Sequence, residues 1–381
     1  MPELTKLINV SHNQVSVVIG ENGSGKSTLL NKLTKDYLFQ GRDVIAIANS
    51  IHDKFTSRSK KFNILGHRSG RKVSQKVIKK SLVNIDNEDL VKTKRIGQIL
   101  EYVGYDGEIG FKVTLKKDIR KYELEESEFI SPMERDDISS LISKLYHNEI
   151  NGTHWVRLDE FRFNQINSST VTRLLRHEKT LRKLGAIDEV KVFLKKHNEE
   201  INLSDASSGE LSFITSLIFI STVISDYSLI VIDEPENSLH PRWQREYISK
   251  LMDIFYYHQP SVVCATHSPI IVSGAEISES QLSVFKSQDS ELNELTLNSN
   301  NLEQLLWEMF GITTPENRYL SNLIMSNLNK LAENEIDLME VNQVISLLEN
   351  SVYDKKQRSL LSLVKQLAIK IEDRKSNNAS V

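Results

Sequence analysis

The sequence predicts an α/β fold, in which a parallel sheet carries helices on both of its faces. Short apolar runs rich in β-branched residues, such as Val15–Ile19, are typical of strands that are buried on both sides. Segments with helical apolar spacing, over 27–38 and 207–225, separate these runs along the chain. Strands that alternate with helices form parallel sheets, because each crossover helix returns the chain to the same end of the sheet.

The remaining elements continue this alternation. The further strands are predicted over 43–48, 228–232, 261–265 and 282–286. An amphipathic helix is predicted over 241–257, and the apolar spacing is helical again over 302–310 and 360–371. Near the C-terminus, Leu347, Leu348, Leu360, Leu361 and Leu367 carry this spacing.

These elements divide the chain into a core and two additions. The core takes residues 1–50 and 200–295, as two parts of one domain. Residues 51–199 are predicted to form an inserted, charge-rich and mainly helical region. Residues 296–372 are predicted to form a helical C-terminal extension suited to docking a partner, and ordinary core packing explains its apolar spacing equally well. The polar tail 373–381 is expected to be disordered.

The composition excludes several classes of protein. The chain has 381 residues, with 48 Lys and Arg against 51 Asp and Glu, which excludes a globally basic nucleic-acid binder. The single cysteine, Cys264, excludes a disulfide framework and an all-cysteine zinc site. The N-terminus has no basic start followed by an apolar core, and the longest apolar stretch, 211–224, is interrupted by Ser and Thr. We therefore expect a cytoplasmic protein without membrane contact.

Charge is unevenly distributed within the predicted insertion. From Lys54 to Arg95 there are 13 Lys and Arg against 3 Asp and Glu, and the sign reverses between Glu123 and Asp137. The basic stretch could contact nucleic acid phosphates, in which case binding would weaken with salt. A solvated protein face is the ordinary alternative for such a run.

A glycine-rich segment after the first strand carries the strongest chemical signal. It matches the phosphate-binding pattern GxxxxGK[ST] and consists of Gly20, Glu21, Asn22, Gly23, Ser24, Gly25, Lys26, Ser27 and Thr28. Its glycines allow backbone N–H groups to point at phosphate oxygens, and the helix that follows adds its positive dipole end. We expect Lys26 to reach the β- and γ-phosphates of ATP and the Ser27 hydroxyl to bind Mg²⁺.

Two adjacent carboxylates, Asp233 and Glu234, end the predicted strand 228–232. Paired with a phosphate-binding loop, they predict nucleotide hydrolysis. Asp233 would hold Mg²⁺, and Glu234 would orient or deprotonate the attacking water. A carboxylate that caps a following helix is the structural alternative.

With these motifs the chain resembles the ABC-type ATPases, in the branch shared by chromosome-structure and DNA-repair ATPases. Residues 206–210 are similar to that family's signature motif, with departures at Ala206, Ser208 and Glu210. The resemblance implies that Ser207, Ser208, Gly209 and Glu210 contact the γ-phosphate of ATP held by another subunit. Without the neighbouring motifs, the same residues would be interpreted as a helix cap.

Two further segments follow in the order that the resemblance implies. Residues 237–240 are similar to the family's D-loop, a turn between the two nucleotide sites of a dimer. His267 ends a predicted strand and resembles the switch histidine, which senses the γ-phosphate. Gln75 and Gln98 are candidates for the family's Q-loop glutamine, but neither follows a predicted strand, so this residue and the adenine-stacking residue stay unassigned.

The resemblance implies an ATP- and Mg²⁺-dependent ATPase that acts as a head-to-tail homodimer or a higher even-numbered oligomer. Segments 46–55 and 62–68 are similar to small ATPase subunits of bacterial antiphage systems, namely Septu and retrons with an ATPase–nuclease pair. This similarity implies a separate nuclease effector. The chain has no nuclease motif of its own, since no strand-borne Asp-x-Asp follows His267. A DNA-repair clamp that binds DNA directly and a non-hydrolysing ATP-sensing scaffold are the alternatives.

Overall fold

Eleven strands and eleven α-helices are present in the described part of the computed structural model. It describes residues 13–49, 54–66, 72–83, 90–116, 130–146, 152–158, 170–237, 239–278, 282–288, 291–295, 306–307, 318–351 and 355–378. The strands are β1 (Val15–Ile19), β2 (Val44–Ala48), β3 (Phe62–Gly66), β4 (Glu108–Lys112), β5 (His154–Arg157), β6 (Lys191–Lys196), β7 (Glu199–Asn202), β8 (Leu229–Asp233), β9 (Ser261–Thr266), β10 (Leu282–Gln288) and β11 (Glu291–Leu295). The helices are α1 (Lys26–Phe39), α2 (Val73–Val83), α3 (Leu90–Val103), α4 (Pro132–Tyr146), α5 (Thr170–Lys183), α6 (Ser208–Val223), α7 (Pro241–Phe255), α8 (Pro269–Ser278), α9 (Arg318–Ala332), α10 (Leu338–Ser351) and α11 (Lys355–Asn378).

The main sheet has seven strands in the order β11-β10-β1-β9-β8-β2-β3. All neighbours pair in parallel except β11, which runs antiparallel to β10. The four central strands, β1, β9, β8 and β2, are buried along their whole length. Burial on both faces is what produces continuous apolar runs in a sequence. The predicted α/β fold with a parallel sheet is therefore confirmed.

Helices cover both faces of this sheet. On one face, Leu30 and Leu33 of α1 pack with Val18 of β1. On the other face, α6, α7 and α8 pack against the alternate residues of β1, including Val17. Helices α2 and α3 in turn pack on α6, so that α6 lies between the sheet and the inserted region.

The region 51–199 contains more sheet than predicted. Strand β3 pairs with β2, so the main sheet continues beyond the predicted core boundary at residue 50. A second, four-stranded antiparallel sheet has the order β5-β4-β6-β7. Its strands are 4–6 residues long, and in β6 buried residues alternate with more exposed ones. Because only one face of such a strand is apolar, it leaves no continuous apolar run to detect.

The last three helices, α9, α10 and α11, pack around an apolar cluster of their own. Leu348 and Leu361 are buried in it, whereas Leu347 and Leu367 are exposed. Some of the leucines with the predicted spacing therefore pack in the core and others lie at the surface. Most of the helix predicted over 302–310 lies outside the described residues. Helix α11 continues to Asn378, which corrects the prediction of a disordered tail from residue 373. No Pro or Gly interrupts the helix before that point.

None of the helices in the described ranges combines the length and the apolar character that crossing a lipid bilayer requires.

Helices α7 and α8 approach each other closely at Gly274. A Cβ atom added to Gly274 would lie 1.9 Å from the carbonyl oxygen of Arg245. We therefore expect Gly274→Ala to push α8 away from α7 and to lower the free energy of unfolding by about 1–3 kcal/mol. Denaturant unfolding measures this loss. Ser273→Ala, on the same helix, is the control because it adds no atom, and equal stability of the two variants would contradict the close approach.

Candidate active site

The predicted motifs converge at one edge of the main sheet. Strand β9 lies between β1 and β8, with Ile19 opposite Thr266 and Asp233 opposite Ala265. Since the three strands are parallel, their carboxyl ends meet at the same edge. The phosphate-binding loop follows β1, His267 follows β9, and Glu234 follows β8. Ligands of open α/β sheets bind at this edge.

The phosphate-binding loop turns through glycines into the start of α1. Gly23 and Gly25 have φ angles of 86° and 94°, a left-handed region that favours glycine. The Lys26 ammonium donates to the carbonyl oxygens of Gly20 and Glu21, at 2.9 and 3.0 Å. Lys26 is therefore connected to the first two residues of the loop. Burial lowers the pKa of Lys26, and the surrounding carboxylates partly oppose that effect.

Two contacts from outside the motif brace the loop. The Ser287 hydroxyl, on β10, donates to the carbonyl oxygen of Ser24 at 2.9 Å. The Lys54 ammonium donates to the Thr28 hydroxyl at 2.9 Å. Sequence reasoning missed both contacts, since a lone serine in a strand and a lysine in a basic stretch give no signal of this kind.

Asp233 fits the metal role predicted for it. Its side chain is 1% exposed, and neither carboxylate oxygen has a donor with hydrogen-bond geometry. Burial raises the pKa of Asp233, while the neighbouring Ser27 hydroxyl and Lys26 lower it. A divalent cation stabilises a carboxylate that is buried in this way. Ser27 and Asp233 would hold Mg²⁺, which when bound neutralises charge on the phosphate oxygens.

Glu234 and His267 lie together beside this metal position. The distance from His267 Nε2 to Glu234 Oε1 is 3.3 Å, and Asn237 donates to Glu234 Oε2 at 3.0 Å. Glu234 has a φ of 52°, a left-handed conformation that costs a non-glycine residue about 1–2 kcal/mol. Backbone strain of this kind is common where a side chain must be aimed. The two side chains therefore contact each other at the carboxyl ends of β8 and β9.

Glu236 also belongs to this cluster, although sequence reasoning did not single it out. Its carboxylate accepts hydrogen bonds from the Thr266 hydroxyl and from the backbone N–H of His267. The one sequence signal that could have indicated Glu236 is its position, two residues after Glu234.

The signature segment begins α6. Ser207 is the N-cap residue but its hydroxyl makes no capping hydrogen bond, and Ser207 and Ser208 are exposed. Gly209 is buried. The carboxylate of Glu210 accepts hydrogen bonds from the Tyr105 hydroxyl and from Lys196. Within the chain, Glu210 thus connects α6 to β6 of the second sheet, and the two serines are the groups that face outward.

The D-loop and Q-loop candidates have clear positions. Asn237 contacts Glu234, and His240 caps α7 by accepting from the backbone N–H of Arg242 at 3.2 Å. Residue 238 lies outside the described residues. Gln75 lies in α2 and Gln98 in α3, so neither directly follows a strand and the Q-loop glutamine stays unassigned.

The basic stretch 54–95 does not present all of its charge to solvent. Lys79 forms an ion pair with Glu178 at 2.8 Å, and both side chains are largely buried. Arg95 is 7% exposed and lies over the ring of Phe255. Nucleic-acid binding by this stretch stays a prediction. Fewer of its Lys and Arg side chains face solvent than their number in the sequence suggests.

Comparisons with known sequences match this chain to a family and to a relative. The family described as "AAA domain, putative AbiEii toxin, Type IV TA system" matches residues 15–273. The chain is similar to the "Retron Vc95 probable ATPase" of Vibrio cholerae serotype O1 biovar El Tor, at 22% identity, covering 76% of this chain and 72% of that protein.

Solved structures of transport ATPases give weaker similarities. One is a putative metal-chelate type ABC transporter in an inward-facing conformation, at 14% identity and a TM-score of 0.31, covering 80% of this chain and 81% of the other. Another is a nucleotide-free ATP-binding cassette from an ABC transporter, at 13% identity and a TM-score of 0.30, covering 81% of this chain and 87% of the other. The family assignment depends on the match over 15–273, which spans most of the chain and includes every motif residue of the site. The chain therefore belongs to this AAA-domain family.

Proposed function

We propose that two copies of this chain bind ATP head-to-tail, hydrolyse it with Mg²⁺ in the cytoplasm, and thereby control a separate effector, a nuclease of an antiphage system. One observation carries the proposal. The groups expected at the phosphates lie at one sheet edge, whereas Ser207 and Ser208 face outward from the start of α6. A helix N-terminus with two hydroxyls suits an anion presented by another molecule.

The residues divide the chemistry between the two chains. Lys26 and the loop N–H groups bind the β- and γ-phosphates, and Ser208 of the other copy contacts the γ-phosphate. Glu234 accepts a proton from the water that attacks the γ-phosphorus, and ADP leaves. His267 orients Glu234 through their 3.3 Å contact. Hydrolysis removes the phosphate that joins the copies, which then separate.

The effector part of the proposal is supported by similarity. The chain is related to a retron ATPase. The antiphage ATPase subunits that segments 46–55 and 62–68 resemble act with a nuclease. In the proposed system the chain supplies ATP-dependent control and the partner supplies cleavage.

An assay of the purified chain tests the proposal. With ATP and Mg²⁺ we expect hydrolysis whose rate per chain rises with protein concentration, because each complete site needs two copies. Duplex DNA and tRNA incubated with the same preparation should stay intact. A rate per chain that does not depend on concentration would contradict the shared site.

The same assay separates the alternatives. Strong stimulation of hydrolysis by duplex DNA would favour a DNA-repair clamp. Tight ATP binding without turnover would favour a non-hydrolysing scaffold. Cleavage of DNA or tRNA by the pure chain, abolished by a substitution outside the ATP site, would contradict the assignment of cleavage to a partner.

A further inference from the structure

We propose that Glu236 is a positioning residue for ATP hydrolysis, which holds the His267 segment so that the imidazole stays against Glu234. This inference rests on the proposed function, because it assigns a role within the same site. Glu236 acts through other residues and contacts no nucleotide in the proposal.

The contacts of Glu236 connect two strand ends. Glu236 follows β8, and both of its hydrogen-bond donors belong to the end of β9. Thr266 Oγ1 donates to Glu236 Oε2 at 2.9 Å, and the His267 backbone N–H donates to Glu236 Oε1 at 2.5 Å. Each carboxylate oxygen therefore has its own donor, and the two bonds fix the backbone from which the His267 side chain extends.

Thr266 extends this connection by one residue. Its hydroxyl oxygen accepts from the backbone N–H of Ser268 at 2.9 Å while its hydrogen is donated to Glu236. The backbone on both sides of His267 is thus tied, directly or through Thr266, to the Glu236 carboxylate. His267 Nε2 then reaches Glu234 at 3.3 Å.

Local electrostatics both favours and opposes a third carboxylate here, since the charge of Glu236 favours the buried Lys26 ammonium. Glu236 also adds negative charge beside Asp233 and Glu234: burial is the main cause that raises the pKa of Asp233, and the charge of Glu236 adds to it. Two charge-assisted hydrogen bonds offset this repulsion. The two hydrogen bonds to the end of β9 are the contacts that this charge does not account for.

Substitution of Glu236 tests the role. We expect Glu236→Ala to lower kcat for ATP by about 10–100-fold, with nucleotide affinity changed by less than about threefold, because the phosphate-binding groups are untouched. Glu236→Gln should retain more activity than Glu236→Ala, because its amide oxygen can accept one of the two donors. Thr266→Val, which removes one donor, should also lower kcat.

Glu178→Gln is the matched control. The Glu178 carboxylate likewise accepts one side-chain donor, Lys79, and one backbone N–H, that of Val190, but it lies outside the site. Its activity should equal that of the wild type. A loss of kcat in Glu178→Gln equal to that in Glu236→Ala would show a general effect on folding and would overturn the inference.

A double-mutant cycle with His267→Ala shows whether Glu236 acts through the histidine. In the His267→Ala background, adding Glu236→Ala should change kcat by less than about twofold, because the group that Glu236 positions is already gone. Fully additive losses would overturn the inference, as would a Glu236→Ala variant with wild-type kcat.

Amide hydrogen exchange gives a readout that does not depend on turnover. In the wild type the His267 amide should be protected, and Glu236→Ala should accelerate its exchange at least about tenfold. Unchanged protection would overturn the inference. If the wild-type chain binds ATP without hydrolysing it, the proposed function fails, and the exchange measurement still decides whether Glu236 holds the His267 segment.

Discussion

Replacing Glu234 with Gln is expected to reduce ATP turnover by about 10²–10³-fold and to leave nucleotide binding intact. In the proposed function, the substitution removes the base that accepts the proton of the attacking water. It leaves the Lys26 contacts to the loop carbonyls, the glycine turn and the buried Asp233 carboxylate as they are. The trapped ATP should then keep two copies joined.

Two measurements check this result. Steady-state phosphate release gives the loss of turnover, and binding of a fluorescent ATP analogue gives the affinity. Light scattering with ATP should show a dimer that persists in Glu234→Gln and dissociates as the wild type hydrolyses. Glu335→Gln, an exposed glutamate in the turn before α10, is the control. Wild-type turnover in Glu234→Gln would mean that another group serves as the base.

The parts of the fold that the sequence predicts well are those with the simplest environment. Strand β1 was predicted at its observed bounds, because it is buried on both faces and therefore apolar throughout. The second sheet was not predicted. Strand β7, for example, is Glu-Glu-Ile-Asn, in which no residue is fully buried. Its strand conformation depends on pairing with β6. The local sequence pattern of β7 gives no indication of this pairing.

The candidate site divides in the same way. Lys26, Asp233 and Glu234 lie in short motifs, in which the residue types and their spacing are what the chemistry requires. A single sequence is therefore enough to identify them as candidates. Contacts between distant segments cannot be found in this way. Ser287 is 263 residues from Ser24, to which it donates a hydrogen bond. Nothing in the composition of either segment indicates that β10 lies beside β1.

Glu210 illustrates a third case, in which a motif match predicts the element but not the contacts of a side chain. The match placed Glu210 at the start of a helix, and the structure agrees. The carboxylate contacts Tyr105, in the turn between α3 and β4, and Lys196 of β6. Burial and the hydrogen bond to Glu210 raise the pKa of Tyr105 well above its ordinary value, so the Tyr105 phenol stays a hydrogen-bond donor. The nucleotide contacts of the signature segment are thereby left to the exposed serines in the proposed dimer.

The proposed dimer makes a prediction about mixtures of two inactive variants. Lys26→Ala should lose nucleotide binding, because it removes the cation at the phosphates. Ser208→Arg should bind ATP in each monomer but fail to close the dimer, because a long cationic side chain replaces a small hydroxyl. Ser208 is exposed at the first position of α6, so the substitution should leave the unfolding temperature unchanged.

A heterodimer of these two variants has one intact site. The Ser208→Arg chain supplies a normal phosphate-binding loop, and the Lys26→Ala chain supplies a normal Ser208 to face it. If subunits mix randomly and the sites act independently, an equal mixture should recover about one quarter of wild-type hydrolysis. The matched control mixes Ser208→Arg with a chain carrying both substitutions, which leaves no intact site in any dimer and should recover nothing. Full activity of Ser208→Arg alone would show that residues 206–210 only cap α6, and equal activity in the two mixtures would show that the two chains do not share their ATP sites.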